Sequence, residues 1–315
     1  MKNQFPGGVW PVMLTPFTNE REVDYTALER LVEWYIENGV KGLFAVCQSS
    51  EMFYLTMEER VEVAKCVLRA AAGRVPVIAS GHVSDSLEDQ IIEVNAMAKT
   101  GVAAVILITN RLAKENESDE VWRDNCKKLL NGIESDIPLG FYECPYPYKR
   151  LLSMENIKWC AETGRFYFLK DTCCDIEQIK EKLNAIESTN LKLYNANTTT
   201  LLESLRYGAT GYSGVMANFH PHLYSWLCDH VDSADADELS AFLSMASLIE
   251  RQYYPVNAKY HLKTIEGISM ETICRVKEAD GLTETFETEV KMLDKLARLQ
   301  EKKLLHVNHS EIGGE

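Results

Sequence analysis

The feature that most constrains this chain is an alternation repeated from residue 9 to residue 215. Short apolar runs of strand length are each followed by an amphipathic segment of helix length. Val9–Pro16 reads as a strand and Tyr25–Asn38 as a helix, with Leu28, Leu31, Val32 and Tyr35 recurring at the helical period. Gly42–Val46, Val75–Ser80, Val102–Ile108, Leu139–Glu143, Phe166–Lys170, Leu191–Asn195 and Gly211–Val215 read as further strands. Between them lie the helical segments Met57–Ala72, Leu87–Thr100, Asp119–Ile133, Met154–Thr163, Asp175–Ile186 and Thr198–Tyr207. At Asn38-Gly39-Val40, Thr100-Gly101-Val102 and Tyr207-Gly208-Ala209 a glycine ends the helix just before the next strand, where its lack of a Cβ admits the left-handed turn.

Strands joined through helices must run parallel, and eight of them predict an α/β fold, a (β/α)8 TIM barrel. A doubly wound open sheet is the competing arrangement, but no GxGxxG follows the first strand. After Val215 the strand pattern stops, and His222–Val231, Asp235–Tyr253, Asn257–Ile265 and Glu284–Lys302 all read as helix. The expected organisation is a barrel over residues 1–232, C-terminal helices packed on it over 233–304, and a flexible tail over 305–315.

Composition excludes several functions. The 33 Lys+Arg against 47 Asp+Glu give a net charge of −14, which repels nucleic acid and anionic membranes. The longest apolar run, Val102–Ile108, is far short of the ~20 residues of a membrane span. Nine irregularly spaced cysteines and an N-terminus without an apolar leader predict a cytoplasmic protein. Most of those thiols read as small buried hydrophobes, with Cys47 and Cys173 set apart by their places at strand ends. No cofactor is expected. The His220-Pro221-His222 pair lacks a carboxylate or cysteine at ligand spacing, so no metal site is expected either, and it reads as a helix cap. The glycines of Gly208–Gly214 enter a strand rather than open a helix, which removes the phosphate-loop reading.

In such a barrel the chemistry sits at the C-terminal ends of the strands. The run Phe166-Tyr167-Phe168-Leu169-Lys170-Asp171 is apolar with one lysine at that end. An ammonium held among apolar groups loses its proton more readily, and the freed amine can condense with a ketone or aldehyde. By position alone Lys170 equally suits a snorkelling side chain or a partner for Asp171. Tyr142, ending the neighbouring strand, supplies a phenol for proton transfer. Gln48, Ser49 and Ser50 put amide and hydroxyl groups in one loop, a cradle for a small carboxylate. An amine, an acid/base and a carboxylate cradle are what a 2-oxo acid requires.

These residues bring the chain to a known family. With the opening Gly8-Val9-Trp10-Pro11-Val12-Met13-Leu14-Thr15-Pro16-Phe17, the loop ending Ser50-Glu51, Tyr142 with Pro145, Lys170-Asp171 and Gly208-Ala209-Thr210-Gly211-Tyr212-Ser213-Gly214, it resembles the dihydrodipicolinate synthase/N-acetylneuraminate lyase superfamily of pyruvate-dependent class I aldolases. The resemblance spans Gly8 to Lys303 and implies a TIM barrel with a C-terminal helical extension, assembled as a homo-oligomer, a dimer or, usually, a tetramer built from dimers. It implies a Schiff base on Lys170, proton relay by Tyr142, carboxylate binding by Ser49 with Gln48 and backbone amides, and a pocket wall at Ser213, Gly214 and Val215.

The chain departs from that pattern in four places. Gln48 replaces a hydroxyl of the carboxylate loop. Ile108-Thr109-Asn110-Arg111 lacks the tyrosine that synthases place after strand four, and Pro147 stands where they place an arginine, with Lys149 and Arg150 slightly later. The loop after strand seven, Ala196-Asn197-Thr198-Thr199-Thr200, lacks the acidic residue of the neuraminate lyases. The expected activity is therefore a Schiff-base lyase, aldolase or dehydratase, acting on pyruvate or a 2-oxo acid such as a 2-keto-3-deoxy sugar acid. A dihydrodipicolinate synthase with an altered site is one alternative, and a non-catalytic 2-oxo-acid-binding barrel another. Glu143, Thr109, Asn110, Arg111 and Asn197, with His82, Tyr146, Thr198 and Cys173, are the groups expected to face the second substrate.

Overall fold

A computed structural model describes residues 5–311 of the chain. Eight parallel strands form one curled sheet: β1 (Gly8–Val9), β2 (Leu43–Phe44), β3 (Val77–Ala79), β4 (Ala104–Ile108), β5 (Leu139–Tyr142), β6 (Phe166–Asp171), β7 (Lys192–Asn195) and β8 (Gly211–Tyr212). β1 pairs with β8, and the ring closes on its other side through a parallel bridge between Val12 and Phe44. The first strand is shorter than Val9–Pro16 because Pro11 and Pro16 bring no N–H to a ladder. Gly211 faces β1 so closely that a Cβ there would sit 2.0 Å from the Gly8 carbonyl oxygen.

Seven helices alternate with the strands: α1 (Tyr25–Glu37), α2 (Met57–Ala71), α3 (Leu87–Ala98), α4 (Asp119–Gly132), α5 (Met154–Glu162), α6 (Ile176–Ala185) and α7 (Leu201–Arg206). The starts of the first six are fixed by side-chain caps from Asp24, Thr56, Ser86, Ser118, Ser153 and Asp175, which satisfy N–H groups that the helix leaves unpaired. Gly39, Gly101 and Gly208 stand at positive φ, as the helix-to-strand turns require.

After β8 the chain makes a 3-10 turn (Val215–Asn218) and enters α8 (Pro221–Asp229), α9 (Ala236–Ala246), α10 (Val256–Thr264) and α11 (Glu284–Glu311). The single helix expected over Asp235–Tyr253 ends early. From Ser247 to Arg251 it tightens into a 3-10 turn, ahead of Pro255, which disfavours helix both at itself and just before. α11 runs through Glu311, past the tail expected from residue 305. No helix among the described residues is long and apolar enough to cross a membrane.

The C-terminal helices are tied to the barrel by charge as well as by packing. Glu51, in the loop after β2, accepts from the buried Lys259 ammonium of α10 at 2.9 Å, and its second oxygen takes the backbone N–H groups of Arg275 and Val276. Inside the barrel Phe168 stacks on Tyr194 at 4.2 Å, with Trp10 edge-on to both and Phe44 edge-on to Phe168. Alternation puts Phe168 and Lys170 on the same face of β6. The lysine therefore stands one layer above an aromatic floor.

Candidate active site

Lys170 and Tyr142 are register partners across β5 and β6. The Lys170 Nζ lies 4.1 Å from the centre of the Tyr142 ring, and both side chains are buried. Among the described residues Lys170 has no hydrogen-bond or ion-pair partner. Burial is the main force on it and pushes its pKa down to about 8, against a smaller upward pull from Cys47, Cys144 and Glu250. The pairing with Asp171 admitted by sequence does not occur. Asp171 points to the other side of the strand and binds the buried Lys182 of α6.

The Tyr142 phenol donates to Gln48 Oε1 at 3.1 Å, and the Cys144 thiol reaches the same oxygen at 3.4 Å. The Gln48 amide nitrogen is thus the end left to meet a ligand. Burial holds the Tyr142 phenol well above its usual range, so it remains protonated. These groups open into a cavity of about 350 Å³ lined by Gln48, Ser49, Tyr142, Lys170 and Val215, and beyond them by Phe53, Tyr146 and Tyr254, with Lys277 at the rim. That volume lies in the range of small-molecule sites.

Several expected site residues serve elsewhere. The Ser50 hydroxyl is spent on the Met13 and Ala45 carbonyls, 2.7 and 2.8 Å away, and fixes the loop instead of facing the cavity. Ser213 and Gly214 pack behind Val215, which alone of the three lines the cavity. Glu143, one residue past Tyr142, turns outward by strand alternation and joins Asp171 on Lys182, at 2.7 Å. It also accepts from the N–H groups of Leu152 and Thr172. The Lys182 ammonium, which burial alone would push down, is held protonated by the two carboxylates. One cation therefore pins the strand ends that carry Tyr142 and Lys170.

Asn110 donates to the carbonyls of Cys144, Tyr146 and Tyr148 and shapes the loop that presents Tyr146. Arg111 pairs with Asp85 and, with Asn110, lines a separate cavity. The Thr109 hydroxyl caps the Arg150 carbonyl, and the Asn197 carboxamide oxygen accepts the Thr200 N–H near the start of α7. His82 is a structural clamp: Nε2 meets Gln90 at 2.8 Å, Nδ1 accepts the Ile108 N–H, and burial lowers its pKa to about 4. Thr198 bonds Tyr212 and Tyr224, while the Cys173 thiol meets the Asp175 carbonyl. The Arg150 guanidinium is committed to the Lys114 and Glu117 carbonyls and to Asp119. Of the expected second-substrate residues, only Tyr146 lines the cavity of Lys170.

Among the cavity or field residues not anticipated are Phe53 and, from the C-terminal extension, Glu250, Tyr254, Val276 and Lys277. Tyr254, whose phenol contacts Ser49, and Lys277 form part of the wall. The Glu250 carboxylate acts on Lys170, Tyr212 and Tyr254; burial raises its pKa to about 7 against the pull of Lys170, and it has no hydrogen-bond partner among the described residues. Read in a continuous helix, Glu250 looks like one more solvated charge; the 3-10 turn re-aims it. Phe53, edge-on to Tyr146 at 4.9 Å, follows Glu51, whose left-handed backbone (φ 61°) turns the loop back over the mouth.

Comparison with known proteins agrees with this geometry. The model of the Dihydrodipicolinate synthetase family matches residues 5–292. The chain is 28% identical over 251 residues to the 4-hydroxy-tetrahydrodipicolinate synthase of Staphylococcus haemolyticus (strain JCSC1435), covering 79% of this chain and 83% of that protein. It is 27% identical over 225 residues to the enzyme of that name from Shewanella sp. (strain MR-4), covering 71% and 74%. Among solved structures, the chloride-inhibited dihydrodipicolinate synthase of Acinetobacter baumannii complexed with pyruvate superposes with a TM-score of 0.82 at 26% identity, over 93% of this chain and 98% of that one. The chain belongs to the dihydrodipicolinate synthetase family and is an enzyme of its class I lyase type.

Proposed function

We propose that Lys170 forms a Schiff base with pyruvate or a closely related 2-oxo acid, and that the enamine so generated makes or breaks a bond to a second, largely apolar partner. The neutral amine attacks C2, the carbinolamine loses water, and the protonated imine draws electrons from C3 as a proton or an aldehyde leaves it. The Tyr142 phenol hands protons to and from these intermediates, and Gln48 orients it. The Ser49 hydroxyl and the Gln48 amide hold the substrate carboxylate. The observation that carries the reading is an unpaired, buried amine over an aromatic floor, in register with a protonated phenol.

The distal wall bears on the second partner. Phe53, Pro145, Tyr146, Tyr254 and Val276 present rings and hydrocarbon where a polyhydroxylated chain would need many polar groups. This favours pyruvate plus an aldehyde over a 2-keto-3-deoxy sugar acid. A second reading, 4-hydroxy-tetrahydrodipicolinate synthesis, draws support from the names of the relatives and from Lys277, a rim cation able to meet the carboxylate of aspartate semialdehyde.

The test is to treat the protein with pyruvate and borohydride and to weigh it intact. One reduced pyruvate per chain, mapped to Lys170 by peptide sequencing, is expected; an unmodified mass would remove the reading. Turnover of pyruvate with benzaldehyde-type aldehydes is then compared with turnover of pyruvate with aspartate semialdehyde, and faster reaction of the semialdehyde would select the second reading.

The rate of imine trapping at limiting pyruvate should rise with pH through about 8, as Lys170 loses its proton, and level off above. Ionised Glu250 raises the Lys170 pKa, so Glu250→Gln should move that limb to lower pH. A limb that stays in place or moves up in a pH series on the variant would exclude this coupling.

A further inference from the structure

The His220-Pro221-His222 segment offers no third ligand in sequence, but the fold brings one to it. His220 stands at the N-cap position of α8 without a side-chain capping bond, His261 lies in α10 and Asp294 in α11, and one ligand atom from each falls within 4.8 Å of the other two. His220 and His261 are at most 2% exposed, and the Asp294 side chain is 12% exposed. His220 Nε2 and His261 Nδ1 are both buried without a hydrogen-bond partner. Two orphaned imidazole nitrogens in one place are costly for a protein interior unless something fills the space between them.

The tautomer of His261 is set by its surroundings. Nε2 faces the Phe219 carbonyl at 2.9 Å, and a carbonyl only accepts, so the proton is on Nε2 and Nδ1 carries a lone pair. A ring nitrogen held by a backbone carbonyl while the other faces inward is the usual support of a metal-ligating histidine. Asp294 is held likewise, one oxygen taking the Arg298 Nε at 2.8 Å. Arg298, the nearby cation, is itself answered by Asp294 and Glu266. His222 stands alongside, its ring 6.2 Å from that of His220 and its Nε2 also unpartnered.

We infer that His220, His261 and Asp294 form a structural site for a divalent transition-metal ion of the zinc type, joining the barrel to the two C-terminal helices α10 and α11. Two imidazole nitrogens with one carboxylate oxygen suit zinc or cobalt, whereas calcium and magnesium take oxygen ligands throughout. His222 or water completes the coordination. The site is separate from Lys170 and does not rest on the reading of that residue.

The test uses the full chain, free of any histidine tag, stripped with a chelator and titrated with cobalt(II). One equivalent should bind, giving visible d–d bands without the near-ultraviolet charge-transfer band of a thiolate ligand, and zinc should displace it and raise the melting temperature. Removing a ligand in His261→Gln or Asp294→Asn should weaken binding by at least the roughly 10- to 100-fold that loss of a supporting outer-shell group costs. Absence of saturable binding to the wild-type chain, thiolate bands, or equal affinity in folded His261→Gln protein would each overturn the inference. The wild-type titration decides it even if the variants do not fold.

Discussion

Lys170→Met will lose the borohydride-trapped adduct and fall to background turnover, yet melt no lower than the wild type. The two halves of that result follow from one observation. The amine makes no ion pair or hydrogen bond among the described residues, so its removal strands no partner. Methionine keeps most of the hydrocarbon volume beside the Tyr142 ring and relieves the cost of holding an ammonium there. Covalent catalysis, by contrast, has no substitute once the nucleophile is gone. Intact-mass spectrometry and calorimetry on the same preparation read both outcomes, and an adduct that survives in the variant would place the chemistry on another lysine.

Lys182→Met should have the opposite profile. Removing this cation leaves Glu143 and Asp171 facing one another in the interior without a counter-charge, a loss of about 3–5 kcal/mol for a broken buried pair. For a domain of this size that is a fall in melting temperature on the order of 10 °C. The deficit should shrink as pH falls, because Glu143, already raised by burial, then takes up a proton more readily folded than unfolded. Adding Glu143→Gln and Asp171→Asn to the variant should restore much of the stability. A melting temperature within a degree or two of wild type for Lys182→Met alone would contradict this account of what fixes the ends of β5 and β6.

The barrel and the Lys170–Tyr142 pair were legible because both rest on local rules: strand and helix periods repeated many times, and one charge at the end of an apolar strand. Glu143 was misplaced although the needed signal was present. With Tyr142 facing inward, the period of two sends its neighbour out, just as Asp171 follows Lys170. Asn110, His82 and Thr109 were misplaced for another reason. Polar residues at strand ends serve the backbone of the loops as readily as a ligand, and only the identity of their partners tells the two uses apart. Glu250, Tyr254 and Lys277 lie beyond the last strand, and Glu250 sits in a 3-10 turn that helical periodicity does not distinguish from a continued helix. His261 and Asp294 were invisible beside His220 because three separate helices bring them together.

The ion pair between Glu51 and Lys259 bears on how substrate preference in such a chain can be engineered. The loop after β2 and the C-terminal wall of the cavity are joined through that contact, so transplanting residues 247–277 from a relative imports half of a buried charge pair. A chimera that carries the lysine into a host lacking the glutamate, or the reverse, would inherit an unanswered buried charge at the wall of the Lys170 cavity. Both ends have to travel together.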